Sequence, residues 1–260
     1  MTALERRGMA AILVAVSLAT LDTAIANTAL PNIAASLHAT PAASVWVINA
    51  YQLAMVATLL PFAALGGIVG HRRVYLGGLM LFIVASVVCA LSWSLPTLVA
   101  ARLLQGVGAS AIMSVNAALI SAIFPPHRLG RGVGLNALVV GVSFAVGPTV
   151  ASIILSLGPW PWLFAVNLPI GLLALYIAWP ALPQTVRGAH RFDRVAAGLN
   201  VVMFASLIFA LGRGPTRAAG AVAGGGGLVP GGVRAAAAPR ARPSRADAIC
   251  SSGPCSRCRP

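Results

Sequence analysis

Two ionisable side chains stand inside long apolar runs of this 260-residue chain, Asp22 and Arg102. A charge in hydrocarbon costs a few kcal/mol or more, so such groups usually face a cavity or an oppositely charged partner. Oil favours the neutral acid and a close guanidinium favours the carboxylate. Separating the two loads a proton and reuniting them releases it, so the pair is expected to couple proton movement to helix movement. A static ion pair holding helices in register is the plainer alternative. At about 100° per residue, Gln105, Ala109, Met113 and Asn116 fall within about 60° of Arg102. Such a face on an oily helix suits water or substrate, and interhelical hydrogen bonding is its other use. Asn49 and Gln52, three apart, form a second polar patch open to the same two readings.

The elements that carry these groups follow from composition. Hydrophobic types make up 58% of the chain and charged types 8%, with mean hydropathy +0.89. Soluble domains run at about 25% charged residues, so composition argues against a water-soluble globular enzyme. Seven runs approach the roughly 20 apolar residues that cross a bilayer: about 9–30, 45–69, 74–95, 97–124, 132–157, 161–180 and 195–211. Nothing alternates like barrel strands, and oil leaves no partner for open backbone, so the fold class is all-α membrane protein. Asp22 lies about eight residues from the outer end of the first span and Arg102 about five from that of the fourth. At about 1.5 Å per residue their depths differ by only about 5 Å.

Arginine placement gives orientation. Arg6 and Arg7, Arg72 and Arg73, Arg128 and Arg131, and Arg187, Arg191 and Arg194 occupy every second connection, while 31–44, 94–96 and 158–160 hold none. The N-terminus is expected in the cytoplasm and six spans return the chain there. Trp46, Trp93, Trp160 and Trp162 fall at outer ends and Trp179 at an inner end, as interfacial belts predict. Ala24-Ile25-Ala26 after the first apolar run resembles a cleavage site, but the run continues beyond it and the alternation needs that span retained.

The region 181–194 reads as a cytoplasmic loop and 195–211 as a seventh, linking helix. In 212–260, Gly, Ala, Pro and Arg supply 35 of 49 residues, which predicts a disordered tail and is the composition that frame-shifted translation of a GC-rich gene would give. Cys250, Cys255 and Cys258 lack a fourth ligand at zinc spacing, and nucleic-acid binding by the basic tail is not favoured. No nucleotide loop, catalytic triad or metal cluster is present in the sequence, and His38, His71, His127 and His190 all fall in connections. No cofactor is expected, and neither an enzyme nor an ATP-driven pump is supported.

Glycines mark close packing or flexible seals: Gly66 and Gly70, Gly106 and Gly108, Gly141 and Gly147 with Pro148. In their motifs the residues resemble the major facilitator superfamily, and within it the fourteen-helix drug:proton antiporters of the EmrB/QacA type. Leu21-Asp22-Thr23-Ala24-Ile25-Ala26-Asn27-Thr28-Ala29-Leu30-Pro31 is similar to that branch's L-D-x-T-[IV]-[VA]-N-x-A-L-P, with Thr23 one place early. Trp46 to Leu53 resembles W-[VI]-x-x-[AS]-Y-x-L, and Arg102 to Ala109 resembles R-x-x-Q-G-x-G-A. Gly141 to Gly147-Pro148 resembles the antiporter G-x-x-x-x-x-G-P, and Asn167 to Gly171 resembles N-x-P-[IV]-G. Gly67 stands where the loop before Gly70, His71, Arg72 and Arg73 usually carries an acid, Ala151-Ser152 replaces a glycine pair, and Pro161 stands where arginine is common.

The resemblance implies a six-helix N-terminal bundle over 1–180, built as three helices and an inverted copy. It implies proton-coupled export of hydrophobic or cationic compounds through a bacterial inner membrane. Asp22 would couple protons, Arg102 would tune it, and Gln105, Met113, Asn116, Asn49 and Gln52 would line the path. Gly141, Gly147, Pro148, Gly70, Arg72 and Arg73 would serve conformational change. The family fold has two halves, so a complete pathway is expected to need the C-terminal half or another chain. A metabolite transporter and a transport-inactive fragment are the alternatives.

Overall fold

A computed structural model describes residues 3–183 and Ser206. The described chain forms α1 (Ala3–Ser36), α2 (Pro41–Ser44), α3 (Trp46–Val69), α4 (His71–Ala90), α5 (Leu95–Ile123), α6 (Leu129–Leu157), α7 (Trp162–Ala165) and α8 (Asn167–Ala181). No strand occurs among the described residues. Six helical segments are long and apolar enough to cross a membrane, α2–α3 and α7–α8 each counting as one. The expected loop beyond Pro183, the seventh span and the tail lie outside the described residues, apart from helical Ser206.

Local chemistry sets the breaks between spans. Thr40 caps α2, its hydroxyl accepting from the Ala43 amide at 3.3 Å, and Pro41 takes the first helical position, where no amide partner is needed. Ser94 and Thr97 form a reciprocal capping box at the start of α5. Between α3 and α4 the chain turns on Gly70, whose φ of 104° excludes most side chains. The Gly70 amide closes α3 on the Gly66 carbonyl at 3.0 Å.

Packing shows the internal repeat. The α1 helix packs on α6 and α8, and α5 packs on α3 and α4. Exchanging the first three spans for the last three turns one set of pairs into the other. Successive spans alternate in direction, so the second triplet is an inverted copy of the first. At two related crossings the backbones nearly touch. A Cβ on Gly106 of α5 would strike the Tyr51 carbonyl and Ala54 on α3, and one on Gly147 of α6 would strike Ala24 on α1.

Two hydrophobic cores are stacked along the bundle. One, toward the arginine-bearing end, gathers Ile12, Leu79, Phe82 and Ile112. The other, toward the opposite end, gathers Ile25, Val47, Leu98 and Phe164. Asp22, Ser86 and Gln105 fall between the two along α1, α4 and α5, in a polar layer that neither core fills. The tryptophans keep to the span ends, with one of them turned inward. Trp93, Trp162 and Trp179 are exposed, but Trp160 is buried, donating to the Ser36 hydroxyl at 3.0 Å and lying edge-on to Phe164. Pro159 and Pro161 bracket a tight turn that tips this ring inward, because the indole N–H finds a protein acceptor there.

Candidate functional site

Asp22 and Arg102 meet. Arg102 Nη1 lies 2.5 Å from Asp22 Oδ2, with Asp22 2% and Arg102 0% exposed. The expected similarity of depth on α1 and α5 is therefore a direct contact. The carboxylate also accepts from Gln105 Nε2 at 2.9 Å and from Asn167 Nδ2 at 2.6 Å, both on Oδ1. Three side chains from two helices thus aim donors at one group, and an ionised carboxylate is acceptor only.

Each partner is held in turn. Arg102 Nη1 also donates to Gln105 Oε1 at 2.7 Å, one helical turn along α5. Gln105 Nε2 donates to the Ser86 hydroxyl at 2.9 Å, and that hydroxyl donates to the Phe82 carbonyl at 2.8 Å. The Cys89 thiol reaches Gln105 Oε1 at 3.5 Å. Arg102 Nε donates to the Val47 carbonyl at 3.3 Å, and the guanidinium carbon lies 4.3 Å from the Tyr51 ring centre and 5.5 Å from that of Phe164. Ring faces attract a desolvated cation. Arg102 Nη2 is buried without a hydrogen-bond partner, which leaves the rings as its surroundings.

The rest of the α5 face divides. Gln105 and Ala109 are fully buried and face no open space, because Gln105 is spent on Asp22 and Ser86. Asn116 is buried further along, its Nδ2 donating to Asn136 Oδ1 on α6 at 3.0 Å. Met113 is half-buried against the first core. Asn49 and Gln52 are half-buried on α3, and neither is among the residues bonded to Asp22. Gly141 is exposed, with nothing within 4 Å of where a Cβ would be, so its face of α6 is bare, whereas Gly147 is buried. Pro148 lies inside α6. Arg72 Nη2 donates to the Trp179 carbonyl at 2.5 Å, tying α4 to the last turn of α8, and Arg73 is exposed.

Over residues 12–212 the chain matches the sequence pattern of the Major Facilitator Superfamily. The chain belongs to the major facilitator superfamily. Its superfamily relatives include an uncharacterized transporter, YebQ, of Escherichia coli K12, 52% identical over 77% of this chain and 44% of that protein. The riboflavin transporter RibZ of Clostridioides difficile is 38% identical over 67% of this chain and 38% of its own length. The methylenomycin A resistance protein of Streptomyces coelicolor is 35% identical over 76% and 42%. The chain thus spans less than half the length of these relatives. The E. coli xylose transporter XylE, in a partially occluded inward-open conformation, shares the fold, with a TM-score of 0.60 at 15% identity over 85% of this chain and 61% of that structure. The N-terminal half of the superfamily fold accommodates what is described of this chain.

Sequence reasoning singled out the two charges and Gln105 but not Asn167, Ser86, Tyr51 or Asn136 as site residues. Asn167 and Tyr51 stood within the motif resemblances, which was the signal that could have recruited them. Ser86 and Asn136 carried no signal, since single hydroxyls and amides are ordinary in membrane helices.

Proposed function

We propose that the chain is the N-terminal half of a proton-coupled exporter of hydrophobic or cationic small molecules, with the chain's N-terminus in the cytoplasm of a bacterium. The observation that carries this reading is the donor set around Asp22. Arg102, Gln105 and Asn167 all donate to it. A protonated carboxyl brings a donor of its own into that set and gives up the charge that holds Arg102, so the set re-forms around it and α1 shifts against its partners. Gln105 cannot turn its amide to help without abandoning Arg102 and Ser86. Protonation of one atom is thereby coupled to the seating of α1 against α5 and α8. Arg102 tunes the affinity by its position. Asn49, Gln52, Met113 and Asn116 are proposed contacts for the transported compound, with Gln105 linking them to the proton site. Gly141, Gly147, Pro148, Gly70, Arg72 and Arg73 are proposed to serve the conformational change. Export as the direction of transport finds support in the motif resemblances and in the methylenomycin A resistance relative.

In the full-length parent, Asp22→Asn should abolish proton-driven export from inverted vesicles while membrane insertion is retained. Unchanged export refutes the coupling role. A second reading is favoured by the burial and full bonding of Asp22: the pair is a static clamp, and the 260-residue chain is transport-inactive. Drug-dependent proton flux through the purified chain in liposomes, lost in Asp22→Asn, excludes it. A substrate panel including riboflavin separates drug export from metabolite transport.

A further inference from the structure

At the arginine-bearing end, far along the bundle from Asp22, a groove of about 1170 Å³ opens between α1 and α8. Its rim carries Arg6 and Arg7, both exposed, the only charged residues among its described lining. Its wall is apolar and aromatic: Leu172 is 50%, Tyr176 80% and Trp179 60% exposed, with Leu175 half-buried between them. Trp179 to Leu172 spans about 10 Å of helix, running from the arginine level toward the hydrocarbon. Arg72 fixes this wall, since its guanidinium holds the Trp179 carbonyl. At 34 residues α1 is longer than a bilayer core needs, so its first turn reaches headgroup depth.

We infer that this groove is a binding site for an anionic phospholipid. The headgroup phosphate sits on Arg6 and Arg7, and one acyl chain lies along Leu172 and Leu175. Tyr176 and Trp179 flank the glycerol region, where amphipathic rings settle. Two cations at the mouth of a greasy slot match a molecule with one anionic end and one apolar end. A zwitterionic lipid brings a cation of its own to the arginines along with its phosphate, and a free phosphate leaves the slot unfilled. The inference rests on the membrane-spanning fold and is independent of transport.

The test uses the full chain in lipid nanodiscs, with brominated phosphatidylglycerol or brominated phosphatidylcholine as a minor component. The readout is the quenching of Trp179, obtained by subtracting the Trp179→Phe protein. Both disc faces carry the same lipid, so which side the N-terminus occupies does not enter. One arginine near an anionic headgroup enriches it about five-fold, and two by up to roughly thirty-fold. Quenching by the brominated anionic lipid should therefore saturate at about five-fold lower mole fraction or less than by the neutral one. The preference should vanish in R6Q/R7Q, survive in R6K/R7K, and be unaffected by millimolar inorganic phosphate. Equal quenching by both lipids overturns the proposal, as does a preference that persists in R6Q/R7Q. Displacement by inorganic phosphate would make the groove a free-anion site. Shielding of Trp179 from both lipids would assign the groove to the chain beyond Pro183. Either result also overturns the lipid assignment.

Discussion

Replacing Asp22 by Asn should cost far more than one hydrogen bond. An amide has one acceptor oxygen where the carboxylate has two, and its NH₂ must point somewhere. With the oxygen toward Gln105 and Asn167, the NH₂ faces Arg102 Nη1, which sits 2.5 Å from Asp22 Oδ2 in the parent. With the amide turned over, it faces two donors instead of one. Arg102, 0% exposed, retains the Val47 carbonyl, Gln105 Oε1 and two ring faces but no anion. Breaking a buried pair by removing one partner costs about 3–5 kcal/mol. Because a membrane-embedded unfolded state finds some replacement bonds, about 3 kcal/mol is the expectation. Removing the stranded cation as well, in Asp22→Asn/Arg102→Met, should recover about 2 kcal/mol of that loss, since an apolar replacement of a buried pair is often nearly neutral. The assay is reversible unfolding in mixed micelles by SDS titration, followed by helical circular dichroism, on the parent, both single variants and the double. A loss below about 1 kcal/mol for Asp22→Asn, or additive single and double effects, refutes the claim that the pair is desolvated and mutually dependent.

Gly106→Ala should destabilise by about 1–3 kcal/mol in the same titration, because its Cβ meets the Tyr51 carbonyl and Ala54 Cβ and must push α3 from α5. Gly134→Ala, with nothing within 4 Å, should be neutral or stabilising by up to about 1 kcal/mol, and equal effects at both sites would undo the close-crossing argument. Asn116→Ala should cost about 0.5–1.5 kcal/mol and show coupling to Asn136→Ala, since the two amides bond at 3.0 Å. Additivity between them is the adverse outcome. Arg72→Met keeps the stem but loses the bond to Trp179, so hydrogen exchange at the Leu182 amide, bonded to Ala178 at 3.1 Å, should quicken at least several-fold. Unchanged exchange there denies Arg72 a role in fastening α8.

Much of this architecture was readable because oil simplifies the code. Where every polar group must be satisfied within the helix, length and apolarity alone delimit the spans, and two charges in such surroundings have few partners. That is why Asp22 and Arg102 could be matched by depth. Span ends were less legible. α1 runs from Ala3 to Ser36 where the apolar run suggested about 9–30, since helix propensity continues into polar flanks. Two spans are broken by short lead-in helices at Pro41–Ser44 and Trp162–Ala165, next to prolines that interrupt the amide ladder. The function of the α5 face was not legible either. A polar stripe on one helix looks the same whether it meets water or another helix. Only Ser86 on α4 and Asp22 on α1, both remote in sequence, decide that Gln105 meets protein.

The union of Asp22 with Arg102 ties residues 80 positions apart, and this bears on biogenesis. The first span leaves the ribosome and enters the bilayer well before its neutralising partner has been synthesised. Until α5 arrives, a nascent chain carries an orphan acid at membrane depth, and α5 on its own would pay about 2.5–3.5 kcal/mol for inserting an arginine. Delivery of the fourth span beside a waiting first span removes both penalties together, so the bundle is expected to assemble around α1 in order of synthesis. A product terminated before Arg102 would hold Asp22 at membrane depth without its guanidinium partner.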